Sequence, residues 1–456
     1  MILDFALMSL LLLVAHLIRA RLKFLQALHL PTPILAGFLG LLLGPQGLNC
    51  WFEGVQLSLP WSEDSSTYPY PLVVLLFGTL FLGHSARKTT FRETLRRSGD
   101  TFFYNLAAEI GQHGIALLFG VFVVVHVFPD LPAGFASLMP AGFAGGHGTA
   151  TVFSKAFENQ EVAQSVGYTF ATLGLLAAML GGIILVNVGT YCGWTRLVRS
   201  ASSTSLASQQ GFVPAAERES IGSQTVSASA LDPLTWHVSL ALVTFAVAYG
   251  VDQAVRELWA VELPLFALAT VAGALLQKIL NVIGVGSYID RKVMARVGST
   301  AADYLIAFAV ATIRIDVVVE YAAPIALLAG VGIVYSVALL WLMGRKMFHN
   351  YWFERSLFTY GWCTGIVGYG IALLRIVDPQ FRTRTAEDYG LSYVFIAPVI
   401  IVLLTVLPPL VTGGSSLACG IVLTSIFLVC IVCSRWLVGW FPHPPDQPRA
   451  DEDSSP

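Results

Sequence analysis

The sequence predicts an all-α integral membrane protein built from two inverted repeats of five transmembrane helices, each with a re-entrant hairpin, plus one extra C-terminal helix. Three observations predict it. Of the 456 residues, 55% are apolar and only 12% charged, with a mean hydropathy of +0.71, which is more apolar matter than a soluble core can bury. Runs such as Leu234 to Tyr249 and Tyr393 to Leu410 approach the roughly 20 residues that cross a hydrocarbon layer about 30 Å thick. Two further apolar stretches, one on each side of a polar linker, are interrupted by glycines.

Hydropathy places spans near 2–19, 32–49, 70–84, 102–128, 165–190, 234–252, 263–280, 300–316, 322–343, 391–411 and 415–434. Ile2 to Ala15 has no basic residue before it and is followed by Arg19, Arg21 and Lys23 instead of a small-residue cleavage site. It reads as a first membrane helix with its N-terminus outside, not as a signal peptide. Basic residues gather on the cytoplasmic side of short loops. On that orientation all but Lys155, Arg256, Arg314 and Arg375 of the 26 Lys and Arg fall inside, and the C-terminus is cytoplasmic. The expected location is the plasma (inner) membrane.

Residues 1–199 form the first repeat, with a hairpin near 133–157. Residues 200–232, rich in Ser, Ala and Gln, read as a flexible cytoplasmic linker. The second repeat is 233–411, with a hairpin near 356–377; an extra helix occupies 412–441 and a disordered tail 442–456. Leu30-Pro31, Leu35-Ala36, Gly40 and Leu42-Leu43 recur at one constant offset as Leu263-Pro264, Leu268-Ala269, Gly273 and Leu275-Leu276. In the same register Leu72 and Thr79 recur as Leu305 and Thr312. Five spans per half is an odd number, so the halves sit in opposite orientation, as in alternating-access carriers.

The six cysteines are scattered and imply neither disulfides nor a metal knuckle; Cys430 and Cys433 lie inside an apolar helix as small hydrophobes. A formal charge of −2 gives no reason to expect a nucleic-acid partner. Membrane lipid is the expected surroundings.

The first hairpin reads Met139-Pro-Ala-Gly-Phe-Ala-Gly-Gly-His-Gly-Thr-Ala-Thr151. Such a glycine-rich backbone is tolerated at membrane depth only when buried in protein or lining a polar cavity. The amides of Gly145, Gly146 and Gly148 at a half-helix start form an anion cradle, with His147, Thr149 and Thr151 as side-chain donors. The alternative is that the glycines merely let helices pack closely. Thr364, Gly365, Gly368 and Gly370 occupy the corresponding place in the other half, and paired interruptions point to a carrier's binding site.

The run Gly145-Gly146-His147-Gly148-Thr149, followed by Thr169-Phe-Ala-Thr-Leu-Gly174, resembles the first re-entrant hairpin and following span of the glutamate:sodium symporter family. Leu30-Pro31-Thr-Pro33 with Gly37 is similar to that family's entry to its second span. The resemblance runs from about Leu3 to Leu410. It implies a scaffold domain for homodimerisation, a mobile transport domain carrying both hairpins, and coupling to Na⁺; the 2-hydroxycarboxylate transporters share this architecture. Two departures stand out: the second hairpin carries bulky aromatics, Tyr360-Gly-Trp-Cys-Thr-Gly-Ile-Val-Gly-Tyr-Gly370, and a further span follows residue 412.

The expected function is therefore Na⁺-coupled symport of a small anionic metabolite such as glutamate. Thr149, Thr151 and Thr364, with neighbouring carbonyls, are the candidate sodium ligands. Arg375 is either a clamp for a substrate carboxylate or a partner for Asp378. Glu109, with Gln112 and His113 on one helix face, is either a coupling group for a proton or sodium, or a hydrated acid bonded to His113. The alternatives are a proton-coupled or exchange carrier of di- or hydroxycarboxylates and, remotely, a membrane-embedded enzyme, for which the sequence offers no HExxH or paired acids.

Overall fold

A computed structural model describes residues 1–27, 31–44, 60–83, 91–197, 212, 213, 215, 218, 220–259, 265–378 and 382–440. The expected disordered tail, most of the linker before 220, the basic stretch at 84–90, Leu30 and Leu263-Pro264 lie outside the described residues. Within them every regular element is helical. In chain order these are α1 (Ile2–Arg21), α2 (Lys23–Ala27), α3 (Thr32–Leu42), α4 (Pro69–Thr79), α5 (Phe91–Phe119), α6 (Leu138–Phe143), α7 (Gly146–Ser154), α8 (Gln160–Tyr191) and α9 (Pro233–Trp259). They continue as α10 (Leu265–Val282), α11 (Arg291–Ala311), α12 (Ile315–Glu320), α13 (Ala322–Ala338), α14 (Trp352–Thr364), α15 (Val367–Val377), α16 (Thr385–Thr412) and α17 (Ser416–Cys433).

Nine helices among the described residues are long and apolar enough to cross a bilayer: α1, α5, α8, α9, α10, α11, α13, α16 and α17. The chain is a multi-pass membrane protein. The expected spans at 32–49 and 70–84 differ: they appear as α3 and α4, of 11 residues each, about 16 Å long at 1.5 Å per residue. Both begin with a first-turn proline, which lacks the amide that a first turn leaves unpaired.

The chain forms two compact units. The first holds α1–α4 and α9–α11, the second α5–α8 and α12–α17. In the first unit small residues let helices touch. A Cβ on Gly40 of α3 would lie 2.9 Å from Ala311 Cβ at the end of α11, and one on Gly273 of α10 would fall on the carbonyl oxygen of Gly78 in α4. These two contacts are equivalent, because Gly40 and Gly273, and likewise Gly78 and Ala311, are related by the same offset as the sequence repeat. Asp4, a buried acid on α1, takes the Tyr68 hydroxyl (2.6 Å), the Ser62 hydroxyl (2.7 Å) and the Ser62 amide (3.1 Å), so its charge is matched within the unit. The end of the linker is held too: Ser223 N donates to Asp290, the N-cap of α11, at 2.8 Å.

In the second unit the element order recurs. Helix α5 runs into a π turn at Gly120–Val124, then come the short pair α6–α7 and the long α8; α13 runs into a π turn at Leu339–Gly344, then come the short pair α14–α15 and the long α16. The ends of the two π turns, Val124 and Gly344, and the two break glycines, Gly145 and Gly365, share a single spacing along the chain. Helix α17 packs along α5 and has no counterpart.

One end of this unit is tied by charge. Arg355 on α14, 3% exposed, pairs with Asp388 of α16 at 2.9 Å and donates to Thr101 Oγ1 of α5 at 3.0 Å and to the Thr383 carbonyl at 3.2 Å. Ser98 donates to the other Asp388 oxygen at 2.9 Å, and Asp100 is held by His349 and the Thr101 amide. Counted by charge sidedness alone, Arg355 is one more inner-surface cation; in the fold it is a buried tie among three helices.

The close approach of α4 and α10 predicts that Gly273→Ala destabilises the protein by about 1–3 kcal/mol. Gly330→Ala on α13, where nothing lies within 4 Å, is expected to be neutral or slightly stabilising. Thermal unfolding in detergent compares them, and equal midpoints for the two variants would contradict the contact.

Candidate substrate and ion site

Both short pairs break where the sequence places glycine. Helix α6 ends at Phe143, and α7 begins at Gly146, whose φ of +67° is a left-handed conformation open to glycine without strain. Helix α14 ends at Thr364, Gly365 is neither helical nor extended, and α15 begins at Val367. Each break frees amides at a helix start and carbonyls at a helix end.

The two breaks meet. A Cβ built on Gly146 would lie 3.6 Å from Ile366 Cγ2. Between them runs α8: a Cβ on Gly174 would fall on the Thr364 carbonyl oxygen and 3.0 Å from Phe143 Cδ1. Thus the Thr169–Gly174 segment, singled out in sequence for following the first hairpin, is the surface on which both pairs close. Around the breaks, α6 is wholly buried and α14 buried beyond its first residue. By contrast Gly145, Gly148, Ile366 and Val367 are half-buried and Gly368 is exposed. Backbone polar groups are therefore accessible only where the two breaks adjoin.

Side chains fix α7 against α8 through a directed chain. Gln164 Nε2 donates to the Tyr168 hydroxyl (2.6 Å), Tyr168 to Thr151 Oγ1 (2.9 Å), and Thr151 to the His147 carbonyl (2.7 Å). The Thr172 hydroxyl donates to the Tyr168 carbonyl at 2.9 Å, so His147 Nε2 is the donor in its 3.1 Å contact with Thr172 Oγ1. Thr364 Oγ1 donates to the Tyr360 carbonyl at 2.5 Å, which leaves its lone pairs free. Thr149, 6% exposed, lies over Gly145 where a Cβ would sit.

The remaining candidates divide. Gly370 is buried, with its Cβ position 2.6 Å from the Phe358 carbonyl, and serves the packing of α15 on α14. Arg375 is exposed in the last turn of α15, about 10 Å along the axis from Gly368 at the ordinary helical rise. The Asp378 carboxylate takes the amides of Arg382 (2.9 Å) and Thr383 (2.8 Å) and the Thr383 hydroxyl (2.7 Å). The three-residue spacing from Arg375 suggested pairing; the turn after α15 engages both carboxylate oxygens instead. Glu109 and His113 are buried on α5, Nε2 to Oε1 at 3.9 Å. Beside them Gln112 Nε2 donates to the Cys363 carbonyl at 3.2 Å, one residue before the second break.

Sodium coordination needs hard oxygens, and Thr149, Thr364 and the freed carbonyls supply that donor type at the breaks. Among the described residues no cluster of three or more His, Cys, Asp or Glu is arranged to hold a metal; hydroxyl and carbonyl oxygens are the ligands at hand. Comparison with curated proteins finds no match. Residues 1–372, from α1 into α15, match the family model described as sodium/glutamate symporter, and the chain accordingly belongs to the sodium/glutamate symporter family of membrane transporters.

Proposed function

We propose that the protein is a Na⁺-coupled symporter of a small acidic metabolite such as glutamate, working by alternating access in the plasma membrane as a homodimer. The observation that carries this reading is the meeting of the two broken helix pairs at Gly146 and Ile366. There the substrate carboxylate is received by the freed amides of α7 and α15, at Gly145, Gly146, His147 and Gly148 on one side and Gly368 on the other. Amides at helix starts favour an anion without a buried side-chain cation. Sodium is held by Thr149, Thr364 and adjoining carbonyls, with Thr151 behind them as the anchor of α7.

Both broken pairs belong to the second unit, which supports its role as the mobile transport domain, with the first unit as scaffold. The equivalent glycine contacts of the first unit and the recurring element order of the second support two inverted repeats, each with a re-entrant hairpin, with the N-terminus outside and the C-terminus in the cytoplasm. Arg375 stands outside contact with a substrate seated at the breaks.

Reconstituted into proteoliposomes, the full chain is expected to take up labelled glutamate or a related dicarboxylate down an imposed Na⁺ gradient; equal uptake with choline replacing Na⁺ would overturn sodium coupling. Arg375→Ala is expected to change KM by no more than about threefold, whereas loss of a direct charge-assisted contact costs roughly tenfold or more. A tenfold rise in KM would return the guanidinium to the site.

A further inference from the structure

Helix α5 turns inward three polar residues whose full bonding capacity the fold does not use. Glu109, Gln112 and His113 lie on one face of the helix, and each is at most 3% exposed. One atom of each, Glu109 Oε2, Gln112 Oε1 and His113 Nδ1, has no hydrogen-bond partner among the described residues. Within the trio the closest approach of acid and imidazole, 3.9 Å, is too long for a hydrogen bond. An ionised carboxylate buried without a counter-charge costs several kcal/mol. Native folds keep such a group only with an occupant that neutralises it.

The surroundings select the occupant. Glu109 is faced by Cys363 from α14, Tyr335 from α13, and Tyr389 and Tyr393 from α16, while α17 brings Cys430 against Tyr335. Helix α6 contributes no titratable residue. Asp100, earlier on α5, is taken by His349, Arg355 is engaged by Asp388, and Arg435 beyond α17 is stacked on Trp440. Sodium would need several converging carbonyl, carboxylate or hydroxyl oxygens. What gathers here is imidazole, thiol and phenol. The Tyr335 hydroxyl is already given to the Ala107 carbonyl at 2.8 Å, and the Tyr389 hydroxyl has no hydrogen-bond partner among the described residues. These groups can accept from, and donate to, a neutral acid.

The same face touches both broken pairs. Gln112 donates to the Cys363 carbonyl beside the second break, and the His113 ring stacks on Phe153 of α7, with centroids 5.7 Å apart at 27°. We infer that Glu109 is a proton-binding site of the transport unit, separate from the helix breaks and loaded and unloaded as the two broken pairs rearrange. A proton from the aqueous phase forms an O–H bond on the carboxylate, giving the neutral acid, whose hydroxyl donates within the His113 and Tyr389 set. Deprotonation returns that proton to water. The inference deepens the transport reading and rests on it only for the coupling.

The test separates the two. Infrared difference spectra of the reconstituted full chain, recorded against pH without substrate, are expected to show a protonated-carboxyl C=O band. That band should shift in D₂O, vanish in Glu109→Gln and return, displaced, in Glu109→Asp. Spectra of wild type and Glu109→Gln that coincide from acidic to alkaline pH would overturn the site whether or not any solute is transported. In uptake assays Glu109→Gln is expected to lose the response to a pH gradient. Loss of the sodium response, with the pH response and the infrared band intact, would identify a sodium ligand and overturn the proton assignment.

Discussion

Inside a hydrocarbon layer no water is available to satisfy backbone amides and carbonyls, so a broken helix must find every partner within the protein. The second unit is organised by that constraint. Two pairs of short helices interrupt its order, and each break releases polar groups that a continuous helix would have paired. Helices α5, α8 and α13 close around them until α6 and nearly all of α14 are buried. The burial is incomplete in one place, at Gly145, Gly148 and Ile366 to Gly368. The exposed polar backbone there is what a charged solute and its coupling ion require, so the cost of breaking the helices and the means of binding have the same origin.

The two ends of α14 do opposite work. At its start Arg355 is tied to α5, to α16 and to the turn after α15 through Thr101, Asp388 and Thr383. Breaking one partner of so buried a pair leaves an uncompensated charge, at a cost of about 3–5 kcal/mol, so this end is fixed. At the far end Thr364 is followed by a glycine outside regular conformation, with the Gly174 face of α8 pressed against its carbonyl. A helix anchored by charge at one end and interrupted at the other brings the interruption to a set place while leaving its polar groups unspent.

Much of this was legible in the chain. Glycine runs in otherwise apolar segments marked both breaks, because only a special backbone explains Gly145-Gly146-His147-Gly148 amid aliphatic residues. The constant register between the halves foretold the matched contacts of Gly40 and Gly273, since helices that touch through small residues keep those residues. Three features were not legible. Charge sidedness treats Arg355 as a loop cation, because nothing within its own segment reveals that Asp388, two helices further on, will meet it. Spacing alone joined Arg375 to Asp378, whereas the amides of a turn compete for the same carboxylate. Hydropathy windows gave α3 and α4 full spans, because apolar character persists beyond Leu42 and Thr79 while the helices stop there.

The central claim is that the two breaks form one binding site. Hydrogen–deuterium exchange read by mass spectrometry on the reconstituted full chain tests it directly, through peptides covering 143–150 and 364–370. If the breaks act together, glutamate with Na⁺ slows exchange in both peptides at once while the 98–105 segment near Arg355 stays unchanged. Protection of one peptide without the other, or of neither under conditions that support uptake, would contradict a shared site.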